Sequence, residues 1–235
     1  MAEFIPAEVL REEFAVLGHF YSVDLQSGDC IECRSVVEIV SPNAAPSNLN
    51  SPLDSLPDAI FIMMNPGSST PLGDVDQRVP AEEIGQVAEL LVPTRPDGTQ
   101  YQVMRVMHHM GWRQVRVLNL SDLRNSKSGS FVRQFKSLEQ RTGYIAHCLF
   151  TDTRREELKR KLPAGLAGPV VLGWGVNSEL DPLIQRCMDK VGRMKGITGI
   201  RQPGTRDKYR HPLPALQRQK REWVAQILQI LREHT

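Results

Sequence analysis

The sequence predicts an α/β protein, a three-layer αβα sandwich around a central, mostly parallel four-stranded sheet, with an N-terminal helix and hairpin as an extension. Three observations predict it. Short, continuously apolar runs recur from residue 59 onward, as in strands buried on both faces. Segments of helical periodicity separate them, and that alternation implies parallel strands joined by right-handed crossovers. The chain has 235 residues, 40% hydrophobic, which is enough apolar material for one real core.

The elements follow in order. Pro6 to Leu17 places Val9, Leu10, Phe14 and Leu17 on one helical face, with Pro6 suited to a first turn. Tyr21 to Asp24 and Cys30 to Val40 read as strands around the turn Gln26-Ser27-Gly28-Asp29. Ser41 to Pro57 is rich in Pro, Ser and Asn, a linker or long surface loop. The domain reading is therefore an extension and linker over 1–57, packed on a core domain over 58–235. In the core, Ala59 to Met64 forms the first buried strand, and helical segments follow at Ala81 to Leu91 and Tyr101 to Met110. Val115 to Leu120 is the second strand. A helical region from Phe131 to Leu162, punctuated at Gly143, leads to a third strand at Pro169 to Gly173. Asn177 to Val191 reads as helix and Gly196 to Ile200 as a short fourth strand. Ala215 to Arg232 is the terminal helix, with Leu216, Trp223, Ile227 and Ile230 toward the core.

Composition narrows the function classes. No window approaches the roughly 20 apolar residues needed to cross a bilayer, and the first residues lack the basic and apolar regions of a signal peptide, so a cytoplasmic protein is expected. The net charge of +2 neither demands nor excludes nucleic acid. Four cysteines are too few for a disulfide scaffold. Cys30 and Cys33 form a C-x-x-C without a matching second half, so they read as reduced thiols of a hairpin or core, and no metal site is expected.

An open parallel sheet binds its ligand beyond the carboxyl ends of its strands, so the turns after each strand carry the functional reading. The first is Met64-Asn65-Pro66-Gly67-Ser68-Ser69. Pro and Gly bend it sharply and leave Asn65 and two hydroxyls facing outward, although the same letters make an ordinary turn. The usual glycine-rich nucleotide cradles are absent. The second is Asn119-Leu120-Ser121-Asp122, where Asn119 offers the acceptor and donors needed to read a nucleobase edge, or else caps the next turn. The third is His211-Pro212-Leu213-Pro214, a histidine stiffened by prolines and able to donate to developing negative charge, or else a solvated loop residue. Around it, Arg201, Arg206, Lys208, Arg210, Arg218, Lys220 and Arg221 outnumber Asp207 and Glu222, a basic edge suited to phosphates.

Taken in order, M-N-P-G at a strand end, V-L-N at a later strand end, V-V-L-G-W-G and a terminal H-P-L-P resemble the motifs of the uracil-DNA glycosylase superfamily, with the single-strand-selective monofunctional branch most similar. The likeness runs from about Ala59 to the C-terminus. The same ordering also resembles a bacterial domain family catalogued without a function. The glycosylase resemblance implies a monofunctional enzyme that hydrolyses the N-glycosidic bond of a flipped base in DNA, without metal or organic cofactor. It implies that Asn65 positions the attacking water, that Met64, Gly67, Ser68, Asn119 and Ser121 surround the base, and that His211 stabilises the departing base. Arg206, Lys208, Arg210, Pro212 and Arg218 would meet the DNA backbone. The chain departs from the pattern at Ser121-Asp122, in H-P-L-P, and after Gly67, where Asp74 or Asp76 could orient the water. A polar, enlarged pocket would suit a bulky base, and antiphage glycosylases that excise glucosylated hydroxymethylcytosine are the leading comparison. A non-catalytic nucleotide or modified-nucleic-acid binding module, or a hydrolase of free nucleosides, is the alternative.

Overall fold

Continuous apolar runs become buried strands here because sheet and helices cover them on both faces. The computed structural model describes residues 3–42, 53 and 55–233. Its strands are β1 (Ala15–Asp24), β2 (Cys30–Val40), β3 (Ala59–Met63), β4 (Thr70–Pro71), β5 (Arg78–Pro80), β6 (Leu91–Arg95), β7 (Gln114–Asn119), β8 (Val170–Leu172) and β9 (Ile197–Thr198). They form one mixed sheet in the order β4-β6-β1-β2-β7-β3-β8-β9, with β5 paired to β1. The α/β class holds, but the sheet is nine-stranded and mixed rather than mostly parallel and four-stranded. The four expected strands are present as its parallel part, with β3 between β7 and β8, and β9 beyond β8. What pattern reading missed is that β2 pairs antiparallel with β7, so the N-terminal hairpin continues the same sheet.

The helices are α1 (Ala7–Glu13), α2 (Gly98–Met110), α3 (Ser128–Thr142), α4 (Arg155–Lys161), α5 (Asp181–Val191) and α6 (Gln217–Glu233). One face of the sheet packs Ile60, Ile62 and Leu118 against Phe131, Phe135, Leu158 and Ile184 of α3, α4 and α5. The other packs Phe61, Val117 and Val171 against α1, α2 and α6, through Leu10, Val103, Met107, Trp223 and Ile227. Each of these large side chains contributes roughly 1.5–3 kcal/mol by leaving water.

Several expected boundaries move. Phe14 is extended and ends α1, which puts Leu17 in β1 opposite Glu38 and Pro93. The segment expected as a helix over Ala81 to Leu91 is a 3-10 helix, Ala81–Gln86, followed by β6. A side chain at Gly85 would sit 2.8 Å from the Thr153 carbonyl oxygen, so this turn is pressed against backbone. The long helical region divides into α3 and α4, because Gly143 ends α3 in a left-handed conformation (φ 69°). On α6 the core face is carried by Trp223, Val224, Ile227, Leu228 and Leu231, while Leu216 is exposed. The proline-rich linker lies mostly outside the described residues, at 43–52 and 54. Among the described residues, no helix is long and apolar enough to cross a membrane. Cys30 and Cys33 are free thiols at the start of β2, one exposed and one buried, and burial pushes the Cys33 thiol well above its ordinary value.

Candidate active site

The turn after β3 is fixed by its own asparagine. Asn65 Nδ2 donates to the carbonyls of Pro66 (2.8 Å), Leu123 (3.3 Å) and Asn125 (2.8 Å). The Asn125 amide returns a bond to the Pro66 carbonyl at 3.1 Å. The turns after β3 and β7 are thus stapled together, and the amide orientation leaves Oδ1 as the end that can meet a ligand. Asn119 closes β7 directly opposite Met63 and is 1% exposed. Its Nδ2 has no partner among the described residues. A buried donor left unbonded costs about 1–3 kcal/mol, a cost that a binding site bears and a packing residue avoids.

The third segment is anchored from four sides. Gly175 N–H donates to the Tyr209 carbonyl (2.8 Å), Arg210 N–H to Ile200 (2.8 Å), Trp223 Nε1 to Arg210 (2.9 Å) and Gln102 Nε2 to Pro212 (2.9 Å). Pro212 then lies near Met63, since a side chain at Gly173 would meet Met63 Sδ at 3.1 Å and Pro212 Cδ at 3.2 Å. This contact brings the His211 turn to the carboxyl ends of β3 and β8. The Leu213 N–H donates to His211 Nδ1 at 3.1 Å. Burial lowers the His211 pKa to about 4, with Asp97 opposing the shift. The imidazole is therefore neutral at pH 7 with its proton on Nε2, a donor held in one orientation.

Asp97 is the residue that sequence reasoning missed. It caps α2, accepting from the Thr99 and Gln100 amides at 2.9 and 3.1 Å, while Gln100 returns a bond to its backbone. Its carboxylate stands within charge range of His211. It also lies over Gly67, where an added Cβ would be 2.6 Å from Oδ2. Asp97-Gly98-Thr99-Gln100 carried the signature of a capping box in the sequence, which could have placed the helix start though not the approach to His211. Gly67→Ala is expected to displace the Asp97 carboxylate and lower turnover about 10-fold or more, with a stability change of about 1 kcal/mol or less. Parallel rate and urea-unfolding measurements check it, and an unchanged rate would remove Asp97 from the site.

The remaining expected residues fall into three groups. Met64 and Gly67 stand beside Asn65 in its turn, half-buried, and Ser68 is exposed there. Ser121 does not reach the site: its Oγ is buried against His147 Nδ1 (2.8 Å) and accepts from the Leu123 amide. Asp74 and Asp76 lie exposed between β4 and β5, whereas Asp97 neighbours His211. Of the basic edge, Arg206 and Arg218 project into solvent, with side chains 94% and 82% exposed. Arg210 is exposed and bonds Gln202. Lys208 is held by Asp181 and the Asn177 carbonyl, and Pro212 is buried, which leaves Leu213 as the exposed tip of that turn. A cleft of about 480 Å³ opens beside His211, lined by Gln202, Arg210, Gln219, Glu222 and Trp223. Asn65 and Asn119 do not line it.

Comparison with protein-family models, with curated proteins and with solved structures gave no match.

Proposed function

We propose that this protein is a monofunctional DNA glycosylase that hydrolyses the N-glycosidic bond of a base swung out of the stack. The observation that carries the reading is His211, a neutral ring with Nδ1 occupied by the Leu213 amide and an Nε2–H to donate, in a turn whose Leu213 packs on Gly98, the residue after Asp97. Breaking the bond from sugar to base leaves positive charge on the sugar and negative charge on the base. The Nε2–H offsets the second, while the carboxylate offsets the first and orients water for attack at C1′. Asn65 Oδ1 offers a further acceptor to that water, and Asn119 reads the base edge. Arg206, Arg210 and Arg218 supply the contacts to phosphate.

The substrate we favour is a pyrimidine with a bulky polar substituent, glucosylated hydroxymethylcytosine in viral DNA first, which makes the role antiviral. The cleft beside His211, about 480 Å³ against roughly 300–1,000 Å³ for pockets that enclose drug-sized ligands, has room for the substituent, the base itself being read outside it at Asn119. DNA carrying uracil, hydroxymethylcytosine or its glucosylated form is incubated with the protein and abasic sites are cleaved with alkali. Strand breaks on the glucosylated substrate are expected, and a folded sample that breaks none of the three refutes the reading. The paired Lys208 and buried Pro212 favour, as a second reading, a hydrolase of free nucleosides, for which nucleoside cleavage inhibited by duplex DNA is the separating result.

The protonation state gives its own test. Because His211 stays neutral down to about pH 4, kcat/KM is expected to show no loss between pH 5 and 8 from deprotonation of an imidazole. A profile that falls as pH rises through about 6.5, the ordinary histidine value, would mean that the charged ring is required.

A further inference from the structure

Arg34 is buried without a counter-charge. Its side chain extends from β2 and the residue is 3% exposed, and no carboxylate among the described residues lies within ion-pair distance of it. Arg116 and Arg154, buried as deeply, differ: Arg116 holds Glu38, and Arg154 holds Asp122 and Glu157. Arg34 instead donates to the Ser69 hydroxyl. Arg124, on the segment that runs beside β2 at Glu32 to Arg34, comes to the same residue with NH2 on the Ser69 carbonyl at 3.4 Å, and it stacks over the Phe20 ring. Arg124 also pairs with the exposed Glu32. The Nε of each arginine is buried with no acceptor. Burial brings the Arg34 pKa down to about 10, with Asp97 and Asp122 opposing the fall and Arg124 adding to it. A guanidinium out of water without a carboxylate is costly, and the cost is recovered when an anion arrives.

We propose that Arg34 and Arg124 hold a phosphate group at Ser69, in a binding site adjoining the Asp97–His211 centre. Guanidinium forks match phosphate oxygens, and two of them meeting at one serine, Arg34 on its hydroxyl and Arg124 on its carbonyl, suit an anion that accepts from several directions. Arg124, more exposed than Arg34, stands at the entrance and Arg34 at the floor. The phosphate belongs either to a nucleic-acid strand or to a free nucleotide.

Thermal unfolding at constant ionic strength, with chloride exchanged for inorganic phosphate, tests the site. The wild-type midpoint is expected to rise and saturate. Arg34→Met is expected to weaken phosphate on the order of 10- to 100-fold, and in chloride to unfold no earlier than wild type, since an unpaired buried charge has gone. Arg124→Met, which leaves the floor intact, is expected to weaken phosphate about 10-fold. A wild-type midpoint that phosphate does not move, or an equal rise in both variants, overturns the proposal. Competition names the source. A nucleoside 5′-monophosphate that displaces phosphate where the nucleoside does not indicates a free nucleotide, and displacement by a single-stranded oligonucleotide at lower concentration indicates a strand. Displacement by none of them overturns the site. The readout is binding, so its failure is distinguishable from failure to excise a base.

Discussion

His211→Ala is expected to lower turnover by about 10²- to 10³-fold while substrate affinity changes little, the loss seen when one oriented donor to developing charge is removed. The reason lies in the ring's fixed state: Leu213 occupies Nδ1 and burial keeps the ring neutral, so Nε2–H points one way without reorganisation. Asp97→Asn is the companion. Asparagine caps a helix as well as aspartate, so α2 stays intact while the negative charge disappears, and a fall of about 10²-fold or more is expected. Single-turnover rates at saturating substrate measure both. If either variant works at the wild-type rate, the corresponding residue takes no part in bond cleavage.

The largest stability effect is expected far from that chemistry. Arg154 is fully buried beside α4, where its NH1 meets Asp122 Oδ2 at 2.6 Å, its Nε and NH2 bond both Glu157 oxygens at 2.7 and 2.6 Å, and its NH1 also reaches the Ala146 carbonyl at 3.2 Å. Tyr21 donates to the same Asp122 oxygen at 2.6 Å. Arg154→Met strands one carboxylate and leaves the other to Lys161 alone. Removing one partner of a buried pair costs about 3–5 kcal/mol, so urea unfolding is expected to shift by that amount. Adding Asp122→Asn to Arg154→Met is expected to recover part of it. A loss under about 1 kcal/mol would show that water enters this cluster.

How much of this was legible depended on the range of the interaction. The runs at β3, β7 and β8 were readable because double-sided burial leaves a continuous apolar signature. Asn65 and Asn119 follow the carboxyl ends of β3 and β7, as those runs marked them, whereas the cleft beside His211 is lined by neither. Strands β4 and β5 are two and three residues long, too short for any periodicity. Strand β6 contains Pro93, which reads as a breaker until β1 and β4 are found on either side. Nothing local announced that β2 would lie against β7. Ser121 looked available because it lies two residues past Asn119, on the same face of an extended chain, but β7 ends at Asn119 and the Ser121 hydroxyl is held by His147 and the Leu123 amide. Asp97 was hidden because it lies 32 residues after Asn65 and 22 before Asn119, outside every motif, at the start of α2.

The hairpin's place in the sheet has a bearing on how the molecule is made. Val37 must wait for Val117, 80 residues later, before it finds its neighbour. During synthesis the earliest strands therefore leave the ribosome with an open rim of amides and carbonyls, the kind of edge that invites pairing with a foreign strand. The slow step of folding should then be the capture of that waiting ribbon by β7, a contact of long sequence separation, rather than the winding of any helix.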